Sequence, residues 1–277
     1  MTQRGRRTNE PLRIASFAVL HPLAQQFAGV ADAYDRGRPG YPPEAVTIAA
    51  RAFELHAGDR VADLGAGTGK LTTALVGAGL DVVAVEPLDE MRSRLRGVEV
   101  VAAAAESLPF ADGSLAACFS ADAFHWFDPD AAAAELHRVL RPHGGVALMW
   151  HLPGWSSEPP EWVLKLGKLL DGLRTDHPGF TVDQGRGGFD RHGGFTPFTH
   201  ESVNYTYPTD RERLVANVES ISYVAGSPDR DRVLDEVRAI VREPFDTDYG
   251  SRDFTVRDPE GNMWMLGTYD PATSASA

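Results

Sequence analysis

Two hydrophobic periods alternate along the first half of the chain. Short, mostly apolar runs fall at 60–64, 81–86, 98–102, 115–119 and 146–150. Such runs suit strands covered on both faces of a parallel sheet. Between them, apolar residues recur every three or four positions, the spacing of one helical face. The stretch 44–55 carries Val46, Ile48, Ala49, Ala50, Phe53 and Leu55, and 129–140 carries Ala132, Leu136, Val139 and Leu140. Shorter helices are expected at 68–76, stopped by Gly77 and Gly79, and at 88–95. Strand and helix in steady alternation predict an α/β fold, a Rossmann-like doubly wound sheet with right-handed crossovers and helices on both faces. No internal repeat is present.

The flanking stretches are less regular. Residues 1–25 hold Arg4, Arg6, Arg7 and Arg13, then a mildly apolar run broken by His21 and Pro22. They read as a poorly ordered extension, too short to span a membrane and lacking a clean signal-peptide cleavage site. The segment 27–43 contains Tyr34, Arg36, Gly37, Arg38, Pro39, Gly40, Tyr41, Pro42 and Pro43. Its prolines and glycines predict an irregular segment, either a surface loop or a lid over a ligand. Past His151 the pattern loosens. A helix is expected at 161–173, a glycine-rich loop at 180–200, a strand at 202–207 and helices at 210–218 and 229–241. The last 30-odd residues give two β-like runs, 254–269, around Asp258-Pro259-Glu260-Gly261-Asn262, then a small-residue tail. The expected organisation is therefore an extension at 1–25, one domain at 26–243, and a hairpin-like tail at 244–277 that completes the sheet.

Chemistry concentrates at Val61-Ala62-Asp63-Leu64-Gly65-Ala66-Gly67-Thr68-Gly69-Lys70. A strand leads into a turn with glycine at alternate positions, and a helix follows. Such a turn lets backbone approach a nucleotide-like ligand beside the free N–H groups of a helix start. A Walker loop is excluded, because its first glycine falls on Leu64 and Leu71 follows Lys70. A dinucleotide fingerprint is weakened, because its third glycine falls on Lys70. The pattern acid-x-G-x-G-x-G fits, with Asp63 as the acid. Glu86 ends the next strand, where an acid accepts both ribose hydroxyls of a nucleoside. That feature does not choose between dehydrogenases and methyltransferases, and an ordinary glycine-rich turn stays open. With a net charge of −12 and no long basic run, a nucleic-acid surface is not the main business of the chain. Its single cysteine, Cys118, sits in an apolar run and reads as a small core residue.

Taken in order, Tyr34 to Pro42, Val61 to Gly69, Val83 to Pro87, Ala105 to Phe110, Ala123 to Asp128 and Leu140 to Gly145 resemble the motifs of class I S-adenosylmethionine-dependent methyltransferases. The resemblance runs from about Phe27 to Val241, in the small-molecule group of trans-aconitate methyltransferase-like and quinone-biosynthesis enzymes. It implies a seven-stranded sheet with an antiparallel last strand, and methyl transfer from S-adenosylmethionine to a small-molecule acceptor. The N-terminal segment and the acidic charge add the expectation of a cytoplasmic protein with no membrane or nucleic-acid partner, and no metal is expected. The implied cofactor site comprises Asp63, Gly65, Ala66, Gly67, Gly69, Glu86, Pro87, Met91, Ala105, Glu106 and Ser120. Asp63 would face the methionyl end, Glu86 the ribose and Glu106 the adenine amino group. His125 is the candidate base by position, against a competing reading as a structural histidine among aromatics. Tyr34, Arg38, Tyr41 and Trp126 would wall the acceptor, with Arg38 available to a carboxylate. The chain departs from the family at Asp122, where a neutral residue often precedes Ala-Phe-His-Trp, and at Ala117, often Asp. Two other functions compete: an NAD-dependent oxidoreductase, and a non-catalytic binding protein on the same fold. The final 30 residues also resemble the closing strands of glyoxalase-like vicinal-oxygen-chelate proteins. Met265 stands where that family often places a metal-binding glutamate, so the likeness implies no metal chemistry.

Overall fold

A computed structural model describes residues 20–151, 159, 161–174, 177–180, 186–241, 254–255 and 264–268. The first part runs α1 (Pro22–Gln25), α2 (Ala31–Gly37), α3 (Pro43–Ala52), β1 (Arg60–Leu64), α4 (Lys70–Gly77), β2 (Asp81–Val85), α5 (Asp89–Arg92), β3 (Glu99–Val101), β4 (Leu115–Ala121), α6 (Pro129–Val139) and β5 (Leu140–Met149). Then come α7 (Glu161–Asp171), α8 (Gly187–His192), β6 (Thr199–Glu201), β7 (Thr206–Tyr207), α9 (Arg211–Glu219), α10 (Ser222–Ala225), α11 (Arg230–Ile240), β8 (Phe254–Thr255) and β9 (Trp264–Thr268).

Five parallel strands form the centre in the order β3-β2-β1-β4-β5. Alternation along each strand sends neighbours to opposite faces. Ala62, Leu64, Cys118, Val146 and Leu148 face α6 through Ala132, Leu136 and Val139. Val61, Val82, Ala117, Phe119 and Ala147 face α3 and α4 through Val46, Ala49, Phe53, Leu71 and Leu75. A Cβ on Gly145 would lie 2.1 Å from the Phe53 ring, so glycine is what lets α3 seat this closely. Strand order reverses between β1 and β4. In open α/β sheets, ligands bind at that reversal, beyond the carboxyl ends of the strands. A separate apolar cluster joins α7, α9, α10 and α11 through Leu166, Val215, Val224, Val233 and Val237. Beyond β5, Gly145 to Met149 pair antiparallel with β9, and β6 pairs antiparallel with β9 on its far side. β8 pairs with β7.

Several boundaries differ from expectation. The segment 27–43 is not irregular throughout. A 3-10 turn at Gln26–Val30 leads into α2, and only 38–42 is extended. Pro39, Pro42 and Pro43 all lie beyond the last helical residue, Gly37, so they never clash with a preceding turn. The expected extension also ends earlier, because α1 is placed from Pro22 with the His21 ring capping Leu23 N. The glycine-rich 180–200 contains α8. A Cβ on Gly188 would lie 2.1 Å from Pro129 O, so the glycine that weakens helix propensity permits contact with the start of α6. The expected strand at 202–207 is reduced to β7, and β5 begins directly at the end of α6. Residues 242–253 and 256–263, which carry most of the glyoxalase-like resemblance, lie outside the described residues.

Candidate active site

The glycine turn is shaped by positive backbone angles. Gly65, Gly67 and Gly69 have φ of +67°, +57° and +92°. Gly65 N and Ala66 N donate to Val85 O at 2.9 and 3.1 Å, which draws the turn across the end of β2. A Cβ on Gly65 would sit 2.7 Å from Ala123 Cβ, whereas one on Gly67 would meet only the Tyr34 ring, at an ordinary contact distance of 3.8 Å. Glu86 follows β2 and is buried. Its carboxylate accepts from Gly67 N at 2.8 Å and Leu88 N at 2.9 Å. Burial raises its pKa, against the pull of those two N–H groups. Asp63 is 1% exposed and accepts from Thr72 Oγ1 at 2.6 Å. Burial, with the neighbouring Glu86 charge, pushes its pKa up to about 7.

Gly65, Gly67 and Glu86 border an open cleft. Of the expected residues, Gly65, Gly67, Glu86, Pro87, Met91, Ala105, Glu106, Tyr34 and Trp126 line it. Asp63, Ala66, Gly69, Ser120, His125, Arg38 and Tyr41 do not reach its wall. Ala66 packs with Ala84 and Leu95, and Gly69 precedes α4. Ser120 Oγ is buried and has no partner among the described residues. Glu106 accepts from Asp128 N at 2.8 Å, tying the loop after β3 to the start of α6. Leu20, Ala24 and Phe27 close the cleft from the N-terminal side, and the Phe27 ring meets Tyr34 and Trp126 edge-on. Sequence reasoning passed over these three: their spacing of four and three is helical, but His21 and Pro22 interrupt the run and 1–25 read as an extension.

His125 is off the cleft wall. Its Nδ1 accepts from Trp150 Nε1 at 3.4 Å, and its ring lies against Trp126 and His177. Burial, then the His177 charge, lowers its pKa to about 4. A ring whose lone pair is already engaged is poorly placed to take a proton. Arg38 donates from Nε to Ser220 Oγ at 2.8 Å and covers the Tyr34 ring at 5.4 Å.

Asp122, absent from the expected set, does line the cleft. Its Oδ1 accepts from His151 N at 2.9 Å; Oδ2 accepts from Tyr41 OH at 2.6 Å and faces His151 Nδ1 at 2.6 Å. Burial alone would raise its pKa, but the His151 charge and these donors bring it down to about 2.

Comparison with known proteins agrees with this geometry. Residues 62–148 match the family model of a methyltransferase domain. An uncharacterised methyltransferase of Mycobacterium tuberculosis is 40% identical over 225 residues, covering 79% of this chain and 86% of its own length. The chain belongs to the class I S-adenosylmethionine-dependent methyltransferases. Solved methyltransferases share the fold. A candidate type II methyltransferase of Anaeromyxobacter dehalogenans has a TM-score of 0.56 at 22% identity, covering 83% of this chain and 94% of its own. Phosphoethanolamine N-methyltransferase 2 of Haemonchus contortus, solved with S-adenosylhomocysteine, has a TM-score of 0.50 at 17% identity, covering 88% of this chain and 57% of its own. The nicotinamide reading of the glycine turn is thereby dropped. This methyltransferase has a cleft suited to its cofactor. Gly67 leaves room beside Tyr34 that a side chain would occupy, and the Asp122 and Glu86 carboxyls both line the cleft. S-adenosylmethionine supplies its methyl group from a sulfonium. Among the described residues no helix is long and apolar enough to cross a membrane.

Proposed function

We propose that the cleft holds S-adenosylmethionine along Gly65, Gly67, Glu86, Pro87, Met91, Ala105 and Glu106, and presents its methyl group to a small-molecule acceptor under Tyr34 and Trp126. The observation that carries this reading is the meeting of the glycine turn, Glu86 and Glu106 on one wall of a single cleft. Glu86 takes the ribose, using the lone pairs left beside Gly67 N and Leu88 N. Glu106 takes the adenine amino group. Asp63, Ala66, Gly69 and Ser120 support the turn from behind. Arg38, committed to Ser220, anchors the lid, and His125 packs it. The enzyme acts on neither nucleic acid nor membrane, in keeping with its acidic charge, and works in the cytoplasm.

We further propose that the sheet has seven strands, with β9 as the antiparallel strand between β5 and β6, and that residues 244–277 complete the domain begun at 26. The register of Val146 with Gly267 and of His200 with Met265 supports this. Calorimetry with S-adenosylhomocysteine tests the site. Glu86→Ala and Gly67→Val should both weaken binding, and unchanged affinity in both would remove the assignment.

A further inference from the structure

We propose that the acceptor carries an ammonium group, and that Asp122 holds this group and so selects a small apolar amine over a carboxylic acid of similar shape. This rests on the assignment of the cleft above and names the substrate class of that same site. The cofactor takes the glycine turn, Glu86 and Glu106. Of the wall that remains, Leu20, Ala24, Phe27, Tyr34 and Trp126 are apolar or aromatic, and Asp122 is an acid. Among the described residues no lysine, arginine or histidine lines the cleft. Arg38, the cation expected to meet a carboxylate, donates to Ser220 Oγ and lies over the Tyr34 ring without reaching the wall. His125 and His177 pack on Trp126 off the wall as well. Burial first, then neighbouring positive charge, lowers both to about 4, so both rings are neutral near pH 7. A carboxylate acceptor would give up its hydration and meet no cation in return.

Asp122 is built as a fixed negative charge. It follows β4 at the carboxyl edge of the sheet, where Ala121 pairs with Met149 of β5. Its φ of +49° is a backbone state that a non-glycine residue keeps only when its surroundings fix it. The fixing comes from behind the wall. Oδ1 accepts from the His151 amide at 2.9 Å; Oδ2 accepts from the Tyr41 hydroxyl at 2.6 Å and faces His151 Nδ1 at 2.6 Å. Neither Tyr41 nor His151 lines the cleft. These partners use three of about four lone-pair positions of an ionised carboxylate and leave one. The hydroxyl and the amide carry no charge, and neither does an imidazole above its ordinary titration near pH 6.5, so the negative charge is oriented and not cancelled. That charge reaches the cleft. Burial raises the Tyr34 hydroxyl to about 12, Arg38 opposes the rise, and Asp122 is the strongest of the acids that add to it. Aromatic rings complete the wall, with Phe27 edge-on to Tyr34 and to Trp126 at 5.8 and 5.7 Å. An alkylammonium gains from a carboxylate and from the face of an aromatic ring, and an alcohol gains less from both. A nitrogen held this way is protonated and has no lone pair for the methyl carbon. It is a handle, and the methylated atom lies elsewhere on the acceptor. Asp122 determines specificity and takes no proton.

The test uses the full chain loaded with S-adenosylhomocysteine and three probes that share a slim hydrocarbon chain: hexylamine, hexan-1-ol and hexanoate. NMR titration gives the affinity of each at pH 8, where the amine is a cation, the acid an anion and an ordinary imidazole neutral. In wild type the amine should bind at least about ten-fold tighter than the alcohol, as a charge-assisted hydrogen bond requires, and hexanoate should bind weakest. Transferred NOEs from the methylene beside nitrogen should reach the Ala121 or Ala123 methyl groups, which places the ammonium at Asp122 without any variant. Asp122→Asn keeps the side chain's shape, and asparagine tolerates a positive φ. It should cut the amine's advantage over the alcohol to about two-fold or less while S-adenosylhomocysteine affinity stays within about three-fold. Hexanoate binding as tightly as the amine, amine and alcohol binding equally, failure of the amine to bind the loaded protein, NOEs confined to other parts of the chain, or an undiminished advantage in Asp122→Asn overturns the proposal. Failure of wild type to bind S-adenosylhomocysteine would instead overturn the assignment of the cleft.

Discussion

Asp63→Asn should make the protein more stable at alkaline pH than at acid pH, relative to wild type. The carboxyl lies beneath the glycine turn, bonded to Thr72 and close to the Glu86 charge, and burial lifts its pKa from 3.8 to about 7. A group whose folded pKa is raised contributes stability that is complete below the unfolded value and is lost as pH rises through the folded one. Between pH 5 and pH 7 the folded chain keeps a proton that the unfolded chain has released. Two units at about 1.36 kcal/mol each come to roughly 2.7 kcal/mol lost by wild type over that interval. Asparagine keeps the side chain's shape and removes the titration. Any fixed cost of its amide against Thr72 is the same at both pH values and cancels. Urea unfolding of both proteins at pH 5 and pH 8 measures the double difference. A value below about 0.5 kcal/mol, near the extrapolation error, would refute the claim that Asp63 is held protonated by burial.

Glu86→Ala removes a charged acceptor from the cleft and should cost about 1.5–3 kcal/mol of S-adenosylhomocysteine affinity, read by calorimetry. Gly67→Val combines a φ of +57° with a branched side chain in the ligand's path; binding should become undetectable while the thermal melt stays cooperative. His125→Ala opens a void against Trp126 and His177, so Tm should drop with affinity unchanged; the reverse pattern would restore a direct role for His125. Deleting 242–277 leaves β5 without β9 and should give aggregating protein; a soluble truncation that binds cofactor would show the tail to be an appendage.

The sheet and the glycine turn were legible because each is encoded locally. A buried parallel strand is an unbroken apolar run, and a turn of positive φ at alternate positions demands Gly65, Gly67 and Gly69. Elements created by tertiary contact were not. Ala31–Gly37 and Gly187–His192 hold glycines that depress helix propensity, yet Gly37 and Gly188 are where neighbouring backbone comes closest. The sequence marked three acids near the strand ends, but side-chain direction was beyond reach: Glu86 and Glu106 border the cleft, while Asp63 turns toward Thr72. Asp122 did leave a trace, an acid where a neutral residue is usual. Its partner left none, because His151 lies 29 positions on and only strand pairing brings them together.

The contact at Gly37 has a bearing on how fast cofactor comes and goes. A Cβ there would fall 2.1 Å from Asn217 N, so α2 rests on α9 with almost no gap. Asn217 Nδ2 donates to Gly37 O at 3.2 Å and Arg38 to Ser220, so the last residues before the extended 38–42 stretch are fastened at several points. Tyr34, which covers the glycine turn, stands one helical turn before this joint. It cannot swing out as an independent flap, because its helix would have to tear away from α9 or carry α9 along. α9 is in turn packed with α7, α10 and α11. Residence time in the cleft is thus tied to the mobility of a four-helix layer outside the sheet, and substitutions in its apolar seam, far from any ligand atom, become a means of tuning release.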